Sequence, residues 1–280
     1  MTNFKIEDIE LRNTDSKNLE MSVSVAPDGL SFCLYHRSEN KFLALGHLAE
    51  CNTPELQQEW FVNSSEAKHD YLSVRLVVCT ARSLIVPAAV FREASCESVF
   101  DLHFGDHQGY RVMWHHLRKT ENFCVFAIEE NLFASIQKKY QRVIWMNQAS
   151  PLIENNITRL RLNNEKPAHT IHVNMYSDFF DLMCCSGDKL LLYNSFRFKS
   201  ANDIVYFVLS VFEQYRLNQE STHVIFSGII EKDNLAIIKL KKFISLVYFE
   251  SRNSAFNYFY KFQDIQSHHF YNLLNSVECE

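Results

Sequence analysis

The residues of this chain predict an α/β fold with mixed sheets, the same unit laid down twice in tandem. Three observations carry that expectation. A three-stranded meander followed by a helix stands near the start, and it returns with Ile171 in the place of Met21, 150 positions on. Within each copy, apolar residues alternate along short runs and then recur at helical spacing, the two periods that separate strand from helix. Hydrophobic residues make up 47% of the 280 positions, which allows one large core or two modest ones and excludes a disordered chain.

The first copy opens with MSVSVAPDGLSFCLYHRSENKFLALGHLAE. Met21, Val23 and Val25 alternate with small polar residues, and Pro27-Asp28-Gly29 has the composition of a turn. Leu30, Phe32 and Leu34 alternate again, Arg37 to Asn40 reads as a second turn, and Phe42 to Leu48 as a third strand. Thr53 then suits a helix cap. Pro54 follows at the first helical position, and the Glu55 carboxylate complements the positive helix end. Leu56, Trp60 and Phe61 supply the apolar face, and Ser73 to Cys79 is the fourth strand. After SLIVPAAVF comes an irregular segment. Tyr110 to Leu117 and Phe123 to Ile128 then read as paired strands joined through Arg118 to Asn122. Helix Asn131 to Tyr140 and strand Arg142 to Met146 complete the copy. Residues around 92–130 are expected to form an inserted subdomain. The polar stretch Asn155 to Pro167 is expected to cross between halves, so that 1–154 and 155–280 are the two units.

The second copy opens with HTIHVNMYSDFFDLMCCSGDKLLLYNSFRF. Ile171, Val173 and Met175 form its first strand, Tyr176-Ser177-Asp178 its first turn, and Phe179 to Cys185 its second strand. Ser186-Gly187-Asp188 turns into Leu190 to Phe198. Ser200 and Asp203 resemble a capping box with Asp in place of Glu, and Ile204, Val208, Val211 and Tyr215 follow at helix spacing. Strand His223 to Phe226, a break at Ser227-Gly228, a short helix around Leu235 to Lys242 and strand Ser245 to Phe249 finish the unit. His268 and His269 are expected on a C-terminal helix with Phe270, Leu273 and Leu274 on its apolar side.

Composition restricts function. With 28 Lys+Arg against 33 Asp+Glu the net charge is -5, which argues against a general nucleic-acid binder. There are 6 glycines, where an average usage of about 7% would give about 20, so phosphate-cradling loops have little to draw on. Neither GxGxxG nor GxxxxGK[ST] occurs. None of the 8 cysteines is spaced as CxxC and most lie in apolar runs, which predicts reduced, buried thiols and a cytoplasmic protein. The N-terminus lacks the basic region and apolar stretch of a signal peptide. No uncharged apolar run approaches the roughly 20 residues of a membrane span.

The order β-β-β-α-β-α-β is that of the ribonuclease H-like fold, and two copies in tandem are the plan of the actin, sugar kinase and Hsp70 superfamily. Within it, VSVAPDGLSFCLY, SLIVPAAVF and IHVNMYSDFFDLMCC resemble a small family of Bacteroidetes proteins with an actin-like ATPase fold and no assigned activity. More distantly, the pattern is similar to the pilus assembly protein PilM and its relatives. The resemblance implies a cleft between the halves where superfamily members hold ATP and Mg²⁺. Asp28 and Gly29 match the first hairpin, Ser177 and Asp178 the second, and Ser227 and Gly228 the adenosine position. The match is incomplete. The second hairpin has no glycine, Tyr176 and Phe179 would crowd a phosphate, and the adenosine position has one glycine where two are usual. The reading that follows is a non-catalytic actin-like scaffold with a degenerate nucleotide cleft, no catalytic residue and no resident cofactor. The alternative is an ATP-binding, Mg-dependent ATPase or kinase-like protein. The 23 Phe and 12 Tyr point to a protein partner or self-association, since aromatic anchors are enriched at interfaces.

Other constellations are weaker. Asp28 and Asp178 could contribute carboxylates to a Mg²⁺ that keeps its waters, yet an Asp in a hairpin turn commonly bonds its own backbone. Asp101, His103, Asp106 and His107 imitate a zinc set but match neither HExxH nor a CxxC pair, so no metal site is expected. Ser227 lacks GxSxG, and Cys184 and Cys185 lie away from any helix terminus that would lower a thiol pKa. Asp181 faces opposite to Phe180 and Leu182 and reads as the solvated side of an edge strand.

Overall fold

The computed structural model describes residues 2–279; Met1 and Glu280, the outer bounds of the two expected units, lie outside it. β1 (Phe4–Glu7) precedes the meander of β2 (Leu19–Ala26), β3 (Gly29–His36) and β4 (Lys41–Leu48). α1 (Pro54–Asn63) follows, with the Thr53 hydroxyl accepting from the Leu56 N–H. After β5 (Ser73–Val78) the chain leaves the main sheet for β6 (Ser83–Pro87), α2 (Cys96–Phe104), β7 (Tyr110–Leu117) and β8 (Asn122–Glu129). It returns through α3 (Glu130–Lys139) to β9 (Val143–Asn147). α4 (Ala149–Leu162) leads to the second meander of β10 (His169–Met175), β11 (Phe179–Ser186) and β12 (Lys189–Arg197). α5 (Ala201–Tyr215), β13 (His223–Gly228), α6 (Leu235–Leu240) and β14 (Val247–Phe249) complete that unit, and β15 (Asn257–Tyr258) and α7 (Tyr271–Asn275) close the chain.

The duplication is visible in the strand order. One sheet runs β4-β3-β2-β5-β9 and the other β12-β11-β10-β13-β14. In both, the meander is antiparallel and the last two strands are parallel to the first. β2 and β10, which contain Met21 to Val25 and Ile171 to Met175, are the central strands. β1 and β15 extend the first sheet along β4. Both central strands are buried although apolar and polar residues alternate along them, with Glu20, Ser22, His172 and Asn174 among the buried polar side chains.

Two large clusters hold the units. One joins the first sheet to α1, α3 and α4, with Phe61, Leu76, Leu132 and Ile153 among its buried side chains. The other joins the second sheet to α5 and α6 through Val173, Phe180, Val208 and Phe226. A third covers the opposite face of the first sheet. There the C-terminal residues Phe256, Phe259, Phe262, Phe270, Leu273, Leu274 and Val277 pack on Cys33, Tyr35, Phe42 and Leu45. Fully burying side chains of this size contributes about 1.5–3 kcal/mol each. Much of the aromatic excess thus goes into the protein's own core.

Several sequence readings change. The third sheet, ordered β6-β8-β7, begins at Ser83 and not near residue 92, because SLIVP pairs with Asn122 to Phe126. Pro87 is tolerated at the end of that edge strand. The stretch read as an irregular segment contains α2, whose buried Phe100 packs on Val125 and Ala127. Asn155 to Pro167 starts as helix, since α4 runs to Leu162 and buries Asn155 and Asn156 against α7. The boundary drawn between 154 and 155 falls inside that helix. Ser227 and Gly228 end β13 and do not break after it. His268 and His269 stand in the turn before α7, where Phe270 takes a left-handed φ of 56°. Asp181 is fully buried on β11, an interior strand.

Candidate functional site

The central strands β2 and β10 bring the two first hairpins to one seam. Asp28, half-buried in the β2–β3 turn, has its carboxyl pKa pushed up to about 6 by burial, with the negative charge of Asp178 adding to the shift. Asp178 is tied elsewhere, as Arg197 Nη1 donates to its Oδ2 at 2.6 Å. Ser177 is exposed. Tyr176 and Phe179 fill the second hairpin. Their rings stack at 4.5 Å, and Phe179 is buried among Ala26, Val77, Cys79 and Met146 of the first unit and Cys279.

Ser227 and Gly228 are brought to the same seam but are engaged by protein. Ser227 Oγ donates to Asn174 Oδ1 at 2.8 Å. The Gly228 N–H donates to the His268 carbonyl at 3.0 Å, and His268 Nε2 lies 2.8 Å from the Ile230 carbonyl. Asn272 Nδ2 donates to the Tyr176 hydroxyl at 3.2 Å. Residues 268–273 therefore form a strap across the end of β13 and the second hairpin. The space left between Asp28, Tyr176, Gly228 and Tyr271 is about 40 Å³, room for a single water.

The nucleotide implied by the fold does not fit these residues as they stand. Glycine could let a phosphate approach backbone, but here both glycines are spent on the chain itself. A Cβ on Gly29, at φ 128°, would collide with the Leu48 carbonyl, and one on Gly228, at φ 86°, with the Met175 backbone. A second opening of about 240 Å³ lies on the other side of the hairpins, between Pro27, Thr80, Glu129 and Asp178. It is below the usual 300–1,000 Å³ of a ligand pocket. Among the described residues, no group of three or more His, Cys, Asp or Glu side chains is placed to hold a metal ion. Asp101 instead pairs with His107 at 2.7 Å and raises the imidazole pKa.

Two buried polar clusters escaped the sequence reading. At the seam, Asp181 Oδ1 accepts from Ser195 Oγ at 2.6 Å and from Gln148 Nε2 at 3.2 Å. Gln148 also bonds the Thr80 backbone, so one amide links the two units. The available signal was a lone charge inside FFDLMCC. Behind the strap, Arg159 Nη1 donates to Glu250 Oε2 at 2.6 Å and to the Tyr271 hydroxyl at 3.2 Å. That hydroxyl lies 3.1 Å from Asn155 Oδ1 and 3.2 Å from Asn156 Oδ1. Nothing local in the sequence joins residues so far apart.

Twin units of this strand order, meeting at their first hairpins, define the class of actin-like ATPase folds. A Bacteroides thetaiotaomicron protein described as having an actin-like ATPase fold and unknown function is similar at a TM-score of 0.79 and 23% identity, over 95% of this chain and 97% of that one. A chain of the PilM–PilN type IV pilus biogenesis complex is similar at 0.61 and 10% identity, over 91% and 96%. No curated protein matches the sequence. Residues 8–247 match the family described as "Protein of unknown function (DUF3822)", and the chain belongs to that family.

Proposed function

We propose that this protein is a non-catalytic actin-like scaffold that binds a protein partner or a second copy of itself. The observation that carries the reading is the plugged seam: Phe179 and the 268–273 strap occupy the place where the resemblance would put a nucleotide. The likeness to a chain of the PilM–PilN complex supports the partner-binding half, because that fold occurs there in an assembly of two proteins. Eight cysteines without disulfides favour a reducing, cytoplasmic setting. No helix among the described residues is long and apolar enough to cross a membrane. We divide the chain into two units joined through α4.

Calorimetric titration of the purified protein with ATP and Mg²⁺ tests the reading and is expected to give no binding heat. Phosphate release should be no faster than in the double variant Asp28→Ala, Asp178→Ala. Saturable binding, or a rate in the parent that vanishes in the double variant, would overturn the scaffold in favour of an ATPase.

A further inference from the structure

A cavity of about 860 Å³ opens away from the seam just described, between the C-terminal half of α4, the starts of β10 and β13, and the loop 251–255. That volume is within the range of small-molecule sites. It lies on the face of the second sheet turned away from α5 and α6, since His172 alternates with Ile171 and Val173 of that core.

Its wall is rich in fixed donors. Arg159, its side chain 45% exposed, lines the cavity and is anchored by Nη1 to Glu250 at 2.6 Å. Arg252 is fixed by an Nη2 bond to the Ile265 carbonyl at 2.9 Å and by stacking 5.2 and 5.3 Å from the rings of Tyr258 and Phe262. Its Nε has no partner. His172, 3% exposed, brings Nδ1 within 3.2 Å of Glu250 Oε1 without hydrogen-bond geometry, and both of its buried ring nitrogens lack a hydrogen-bond partner. A buried ring nitrogen without a partner is costly and calls for an account.

The complement is lopsided. Glu250 is buried beneath the wall with Oε2 bonded to Arg159 and Oε1 beside His172, and the one carboxylate among the lining residues, Glu165, sits exposed at the rim. Two pre-positioned guanidinium forks with an imidazole between the sheet and α4 suit a planar or tetrahedral oxyanion. Leu160, Pro167 and Ile225 offer the same cavity an apolar wall for a hydrocarbon body. We propose that this cavity is a binding site for a small molecule bearing a carboxylate or phosphate group, with Arg159 and Arg252 as its oxyanion-binding residues. This site does not depend on whether the seam between the hairpins takes nucleotide.

The test is a titration of the ¹⁵N-labelled full chain with inorganic phosphate and, separately, with 4-methylpentanoate, against sodium chloride at equal ionic strength. The signals followed are the His172 ring nitrogens and the amides of residues 159–163 and 251–255. One probe should saturate at millimolar concentration and shift that set together. Saturation by phosphate assigns a phosphorylated ligand, and saturation by the carboxylate alone assigns an aliphatic acid. Arg159→Lys keeps a countercharge for Glu250, and Arg252→Met keeps an apolar stem against the two rings. Each should weaken the saturating probe by about fivefold or more, because a lost fork cannot be replaced by a point charge or a thioether. Thermal midpoints identify a variant that has failed to fold, in which case the other decides. The proposal is overturned if neither probe saturates below about 50 mM, a ceiling weaker than ordinary millimolar binding, or if folded variants bind as the parent does.

Discussion

Asp181 is a carboxylate taken out of water, and its surroundings fix how stability should respond to pH. Burial pushes its pKa up to about 6 from 3.8, against the hydrogen bonds from Ser195 and Gln148 that favour the charged form. Between those two values the folded chain holds a proton that the unfolded chain has released. The contribution is therefore complete below about pH 4 and is lost as pH rises through 6. Asp181→Asn keeps an acceptor for Ser195 and cannot ionise. We expect it to be more stable than the parent at pH 7.5, by an amount up to about 3 kcal/mol, and to lose about two thirds of that advantage at pH 4.5. Urea unfolding of both proteins at the two pH values measures this, and an advantage that is flat or grows on acidification would contradict it. The charge was plain in FFDLMCC, but its burial was not. Whether β11 lies at an edge depends on the later strand β12, which pairs along its whole length.

Elements whose signals are local were the legible ones. Asp203 Oδ2 accepts from the N–H groups of Ser200 at 2.9 Å and Lys199 at 2.8 Å, completing the capping box read from sequence at the start of α5. Ser200→Ala should cost about 1 kcal/mol, read as a lower urea midpoint with unchanged slope; no change would mean that packing alone sets where α5 begins. The second hairpin was legible in the same way, because Tyr176-Ser177-Asp178 is the turn between β10 and β11. Phe179→Ala removes a ring buried among residues of both units and should cost about 3–5 kcal/mol, measured by the same unfolding. A cost below about 1 kcal/mol would show that the seam closes without it. α4 was misread for a physical reason. Its Asn155 and Asn156 look like loop residues, and the Tyr271 hydroxyl and the side chains of Asn275 and Glu278, more than 100 positions away, make them buried helix.

At the scale of the molecule, the strap was the feature that sequence concealed. The aromatic residues between Phe256 and Phe270 suit a core or an interface alike until their partners on the far face of the first sheet are known. Those partners predict an asymmetry between the units. The cluster of the second sheet with α5 and α6 contains no residue after Phe249. The cover of Tyr35, Phe42 and Leu45 is drawn almost entirely from residues after 255. Removing residues 267–280 would uncover part of that face by taking away Phe270, Leu273, Leu274 and Val277, each contributing about 1.5–3 kcal/mol when fully buried. Their sum is comparable with the whole stability of a domain, about 5–15 kcal/mol. The truncated chain should therefore lose amide-exchange protection first in β2 to β4, while β10, β11 and β13 keep most of theirs. Hydrogen exchange read by mass spectrometry over peptides from the two meanders measures this directly. Equal loss in both would mean that the strap stabilises the seam and not one sheet. Retained protection in both would mean that the strap is a removable cover, and the closed cleft at its base would then be open to ligand after all.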